Sequence, residues 1–146
     1  MYAKVIELFI TLNDENKTRK SVKSITVDEN GIIGDKFHSK NLDRSILLTS
    51  IDSYNIAQEN SIEIATGSLG ENILIDINPY QLLPGDRLSI GNVVLEITQN
   101  CTLCKGLSTV NTKLPKLLKN DRGIFAKVVG CKSEIQIGDK VKFLNH

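Results

Sequence analysis

The sequence predicts a mainly β fold, a barrel or a sandwich, with few helices. Three observations carry this. Apolar and β-branched residues occur in short runs, not in long stripes of helical period. Gly and Asp separate many of those runs. Finally, Arg87-Leu88-Ser89-Ile90 and Val93-Val94-Leu95-Glu96-Ile97-Thr98 are joined only by Gly91-Asn92. A two-residue loop of this kind selects a tight primed turn between antiparallel strands. Short strands with frequent glycine turns build barrels or sandwiches.

Along the chain, a first strand is expected from Val5 to Leu12. Val22-Lys23-Ser24-Ile25-Thr26-Val27 is the next extended run, closed by Asp28-Glu29-Asn30-Gly31. Ser45 to Thr49 and Ile73 to Ile75 precede the hairpin, and Ile124 to Val129 and Lys140 to Phe143 follow it. Two helices are expected. Ser50 caps one that reaches Glu59, with Asp52 in the first turn, where a negative charge suits the helix dipole. Leu114, Leu117 and Leu118 fall at helical spacing, and Pro115 suits a first turn. The pattern Gly-Asp-basic-apolar begins at Gly34, Gly85 and Gly138. At the latter two its simplest meaning is a turn into a strand.

A chain of 146 residues fits a single domain, 1–146, large enough to bury a core. Its 18 basic and 17 acidic residues leave a net charge of +1, so no global field recruits nucleic acid or an anionic membrane. No apolar run approaches the roughly 20 residues that span a bilayer. The N-terminal stretch is broken by Glu7 and lacks a cleavage site, unlike a signal peptide. The expected compartment is the cytoplasm, where thiols stay reduced, and three cysteines, an odd number, argue against a disulfide framework.

Two of those cysteines form Cys101-Thr102-Leu103-Cys104. This spacing suits half a zinc site, a redox dithiol, or one working thiol beside a bystander. Zinc wants four ligands, and only Cys131, His38 and His146 remain to complete the set. A redox dithiol wants a helix after the strand, yet Gly106, Ser108, Thr109, Val110 and Thr112 are poor helix formers. A single thiol needs a cation to favour the thiolate. Lys105 is adjacent, and His38 or Arg44 could approach in the fold. Cys131, between Gly130 and Lys132, has no such context.

Two loops offer polar chemistry. Residues from Gly34 to Arg44 form either a solvated loop or an anion pocket. In the second case Arg44 offers a planar fork and His38 a proton donor or acceptor. In Gly67-Ser68-Leu69-Gly70-Glu71-Asn72, glycines let backbone amides approach an anion, although a plain turn explains them equally well.

In order, the chain presents Gly34-Asp35-Lys36-Phe37-His38, Asp43-Arg44-Ser45-Ile46-Leu47-Leu48, Gly67 to Ile73, and Leu82 to Gly91. Leu95-Glu96-Ile97-Thr98-Gln99 comes last, with Cys104 five residues beyond Gln99. This order resembles the MOSC domain family, in its small stand-alone bacterial form. The resemblance runs from Val22 to Phe143. It implies a β-barrel that binds the molybdenum cofactor, a pterin dithiolene with a phosphate. It places on Cys104 the role of molybdenum ligand or persulfide carrier, and it matches His38, Arg44, Gly70, Glu71 and Asn72 to family positions. With Gly67 and Lys105 these form the expected cofactor site. Two departures are plain. The prolines and arginine common before the family cysteine are absent from Asn100 to Leu103, and Ser39 stands where glycine often follows the histidine.

The resemblance implies three function classes. One is a cofactor-dependent reductase component acting on N-hydroxylated compounds, served by an electron-donor flavoprotein. Another is a sulfur carrier supplied by a cysteine desulfurase, with pyridoxal phosphate on that separate partner only. The third is a non-enzymatic cofactor-binding or insertion module. Cys101 could in addition form a reversible disulfide with Cys104.

Overall fold

The computed structural model describes residues 3–100, 113–118 and 122–144. The strands are β1 (Ala3–Thr11), β2 (Arg19–Val22), β3 (Ser24–Asp28), β4 (Gly31–Ile32), β5 (Ile46–Ser50), β6 (Ile73–Ile75), β7 (Arg87–Ile90), β8 (Val93–Asn100), β9 (Ile124–Val129), β10 (Ser133–Gln136) and β11 (Lys140–Leu144). Among the described residues, two α-helices accompany them, α1 (Ile51–Glu59) and the single turn α2 (Leu114–Leu117).

Seven strands pair in the ring β11-β7-β8-β9-β5-β6-β1, which closes where β1 returns to β11 through Ala3 opposite Val141 and Lys4 opposite Lys140. Closure removes the open edges that an isolated sheet would expose. The free edge of β1 is shared. Its start faces β11, while Leu8 to Thr11 face β2. A smaller sheet, β10-β3-β4, adds Ile25, Val27, Ile32 and Ile135 to the same core.

Side-chain alternation fills the barrel. Along β8, Val93, Leu95 and Ile97 are buried, while Val94, Glu96 and Thr98 are half-buried. Ile46 and Leu48 of β5 and Ile124 and Ala126 of β9 also point inward. Each fully buried leucine or isoleucine contributes about 1.5–3 kcal/mol relative to exposure. β1 breaks strict alternation. Val5 and Leu8 are both interior because the register with β6 shifts between Val5 and Glu7, a bulge that reverses the facing of the strand. All pairings but one among the described strands are antiparallel, β7 and β8 through the two-residue turn at Gly91-Asn92. The parallel pair β5 and β6 needs a crossover, and α1 lies on it. α1 is capped as the sequence predicts, with the Ser50 hydroxyl accepting the Asp52 amide at 3.1 Å. Asp86 and Asp139 bind the amides of Leu83 and Gln136, so both Gly-Asp repeats are turns into strands.

The run expected from Val22 to Val27 is not one strand. It divides at Lys23 between β2 and β3, which belong to different sheets. Among the described residues, no helix is long and apolar enough to cross a membrane.

Candidate functional site

The strand that leads toward the two cysteines ends in a bulge. β8 pairs Ile97 with Ala126 and then Gln99 with Phe125, leaving Thr98 as the extra residue. The Thr98 hydroxyl donates to the Asp43 carbonyl, in the turn that carries Arg44. The Arg44 side chain then lies over the Phe125 ring, 4.8 Å from its centre, in cation–π contact. Phe125 stands beside Leu47 on the outer face of the barrel. The corner therefore holds an exposed guanidinium on an aromatic platform, beside the point where β8 ends at Asn100.

His38 reaches the same neighbourhood. Gly31, at φ +120, lets the chain pack tightly there. A Cβ at that position would meet the Ser45 Cβ at 3.2 Å and the His38 Cα at 3.7 Å. Both ring nitrogens of His38 are engaged. Nε2 lies 2.9 and 3.1 Å from the Asp28 carboxylate oxygens, and Nδ1 lies 3.2 Å from the Ser39 hydroxyl. The Asp28 carboxyl is held below its usual range. Burial opposes that shift, but the Asn30 amide and the His38 ring together outweigh it.

Glu71 and Asn72 lie elsewhere, in the buried layer behind the loop that precedes β6. The Asn72 amide oxygen accepts the Leu47 amide at 3.0 Å, and its nitrogen donates to the Phe9 carbonyl and to Asp35. The Glu71 carboxylate receives the Thr49 hydroxyl at 2.7 Å and the Tyr54 phenol. Its Oε1 is buried with no hydrogen-bond partner among the described residues. The Tyr54 phenol is pushed well above its ordinary pKa, first by burial and then by the Glu71 charge.

The loop from Gly67 to Gly70 uses its amides internally. Gly67 N and Leu69 N donate to the Tyr54 oxygen, Ser68 N to the Ala65 carbonyl and Gly70 N to the Gly67 carbonyl. These amides face Tyr54 and the loop's own carbonyls, the plain-turn arrangement that was the alternative for this segment. The structure gathers His38 and Arg44 at one corner and places Gly67, Gly70, Glu71 and Asn72 in a supporting loop. Gly70 joins the two areas, since a Cβ there would lie 3.9 Å from Leu47. Cys104, Lys105 and Cys101 lie outside the described residues.

One functional-looking residue escaped the sequence reading. Arg19, half-buried at the start of β2, donates to the Thr11 hydroxyl and to the Gly67 and Glu71 carbonyls and stacks 5.5 Å from the Phe9 ring centre. Its neighbours Asn16-Lys17-Thr18-Arg19-Lys20 form no motif, and no spacing sets Arg19 apart.

A closed mainly β barrel with a bulged strand leading to a paired-cysteine segment defines a class. Residues 34–142 match the MOSC domain model, and the chain belongs to that family, which is associated with molybdenum cofactor binding. The YuaD protein from Bacillus subtilis superposes with a TM-score of 0.80 at 20% identity, over 97% of this chain and 94% of that one. YiiM from Geobacillus stearothermophilus gives 0.75 at 13% identity, over 98% of this chain and 75% of its own. YiiM from Escherichia coli gives 0.73 at 17%, over 100% and 71%. These likenesses show the fold. No curated protein matches the chain.

Proposed function

We propose that this chain binds the molybdenum cofactor at the Arg44 corner and uses Cys104 as its working thiol, for reduction of N-hydroxylated compounds or for sulfur transfer. The observation that carries the reading is the Thr98 bulge, which brings Arg44 and Phe125 beside the strand end that leads to Cys104. Bulges recur next to active sites because they re-aim the chain.

The residues fit such a group. An exposed arginine fork suits a phosphate oxyanion, and the aromatic platform holds the fork in place. The family resemblance puts the soft ligand on Cys104, whose thiolate suits a thiophilic metal. Lys105 next to it favours the thiolate. His38, locked by Asp28 and Ser39, shapes the corner. Glu71 and Asn72 position the Leu47 strand and the loop behind it. When bound, the cofactor supplies a thiophilic metal able to exchange electrons with a substrate.

The adjacent Cys101 favours a second reading of the same thiol, sulfur carriage. The Cys104 thiolate attacks the outer sulfur of a desulfurase persulfide. The new S–S bond forms on Cys104 as the donor's own S–S bond breaks, and the donor leaves as a thiolate.

Protein purified from a cofactor-producing host tests both readings by elemental analysis and intact mass. Stoichiometric molybdenum is expected, lost in Cys104→Ser and reduced in Arg44→Gln. Addition of one sulfur mass by a desulfurase, absent in Cys104→Ser, supports carriage. Molybdenum content and sulfur loading both indifferent to Cys104→Ser would overturn the assignment.

A further inference from the structure

At the smaller sheet, the turn that joins β3 to β4 meets the segment from Gly34 to Arg44. A hydroxyl, an imidazole and a carboxylate come together there. The Ser39 Oγ lies 3.2 Å from His38 Nδ1, and His38 Nε2 lies 2.9 and 3.1 Å from the two Asp28 oxygens. We infer that Ser39, His38 and Asp28 form a nucleophilic triad that takes the acyl group of small, unhindered carboxylic esters and passes it to water.

The first ground is the direction of the hydrogen bonds. The Asp28 carboxyl is held below its usual range, so it is ionised at neutral pH and only accepts. In the neutral imidazole, Nε2 therefore carries the ring proton, and the Nδ1 lone pair faces the Ser39 hydroxyl. A hydroxyl beside a base, with that base oriented by a third group, is the arrangement that acyl transfer needs.

The second ground is the backbone. Ser39 has φ +63, in the left-handed region that glycine adopts freely and other residues rarely enter. Strain of this kind collects at functional sites. The third ground is preorganisation. The Asp28 Oδ1 accepts the Asn30 amide at 2.8 Å, and the Asn30 carbonyl accepts the Ser39 amide at 2.9 Å. One turn thus fixes both ends of the triad before any substrate arrives. Ser39 is exposed, with His38 and Asp28 half-buried behind it, so an ester meets the hydroxyl first. Lys132 also acts on Asp28 through space but forms no ion pair with it.

The chemistry closes on these groups. Ser39 Oγ attacks the ester carbonyl carbon as its proton passes to His38 Nδ1. The exposed Lys40 ammonium, one residue on, is assigned to the oxyanion that forms. The bond from carbon to the alcohol oxygen then breaks, and the alcohol leaves with the Nδ1 proton. Water, giving a proton to Nδ1, attacks the acyl carbon. The carboxylic acid departs, and the proton returns to Ser39 Oγ. Asp28 touches no substrate and is a positioning residue. Neither Cys104 nor a metal takes part, so this reading and the molybdenum reading stand or fall separately.

The full chain, its thiols first alkylated with iodoacetamide, is treated with an alkyl fluorophosphonate, and the modified residue is located by peptide mass. A single label on Ser39 is expected, with fluoride released. Hydrolysis of p-nitrophenyl acetate by the same protein should be lost in Ser39→Gly and in His38→Gln. Ser39→Gly suits the local φ, so it removes the hydroxyl without endangering the fold. Asp28→Asn should slow hydrolysis by about tenfold or more, part of the roughly 10²–10⁴ that a positioned base supplies. Its side-chain amide can donate to Nε2, so the His38 ¹⁵N signals should move toward the Nδ1–H form, and Asp28→Glu should restore part of both. Absence of the label from Ser39, or equal hydrolysis by wild type and Ser39→Gly, overturns the inference.

Discussion

At the scale of single residues, Tyr54 does the most with one atom. Its phenolic oxygen donates to Glu71 and accepts the Gly67 amide at 2.9 Å. Tyr54→Phe strips the buried Glu71 of a donor and the loop of its acceptor. A loss of about 1–3 kcal/mol is expected, measured by denaturant unfolding. The phenol also predicts a pH limb. Its folded pKa is raised above the unfolded value of 10.0, so the neutral form is the one that the fold favours. The stabilisation is full below pH 10 and declines as the pH climbs above it. Unfolding temperature followed from neutral to alkaline pH should show this decline, and Tyr54→Phe should flatten it. Glu71→Gln should let a phenolate absorbance appear at lower pH than in wild type, because the opposing charge is gone. None of this was legible beforehand. Tyr54 sits in a helix among polar residues, and only the fold brings it to Glu71, seventeen positions away.

At the scale of elements, turns and strands were largely readable, and joints were not. The hairpin at Gly91-Asn92, the Ser50 cap, and Ile73–Ile75 and Ile124–Val129 follow from alternation, turn chemistry and capping, which act within a few residues. The split at Lys23 depends on which sheet each half joins, a long-range fact. β10 carries a single buried residue, Ile135, and therefore has no apolar run to announce it. The bulges at Ile6 and Thr98 are register shifts against distant partners and leave no local mark. The loop before β6 shows how glycine reads in context. Gly67 has φ +90, and its missing side chain makes room for Phe9. Gly67→Ala combines backbone strain with a clash against an aromatic ring. It should cost about 1–3 kcal/mol, with increased proteolysis between residues 60 and 72 as the local readout. Unchanged stability and protease resistance would show that the loop is not wedged as described.

At the scale of the molecule, the ring closes between strands far apart in sequence. Ala3 pairs with Val141, and the Val5 carbonyl accepts the Gly138 amide at 2.9 Å. Contacts of such separation make loop closure the slow part of folding, so refolding is expected in the millisecond-to-second range. A stopped-flow denaturant jump checks this, and a complete microsecond phase would contradict it. Glycine-punctuated short strands narrowed the fold to a barrel or a sandwich, and the family resemblance pointed to the barrel. The closing pair was not readable, because nothing in either segment names its partner. The site divides the same way. Arg44 and His38 became candidates through their motif positions, whereas the Thr98 joint that brings Arg44 to the end of β8 belongs to the assembled sheet.

The pairing of β1 with β11 also has a consequence during synthesis. Until residues 140–144 have left the ribosome, β1 and β7 each lack the neighbour that will cover their backbone. The nascent chain therefore carries two sticky strand borders until that segment has been translated. Slow codons or a pause placed just upstream of Lys140 would prolong that exposure and lower soluble yield, with no change in the finished protein.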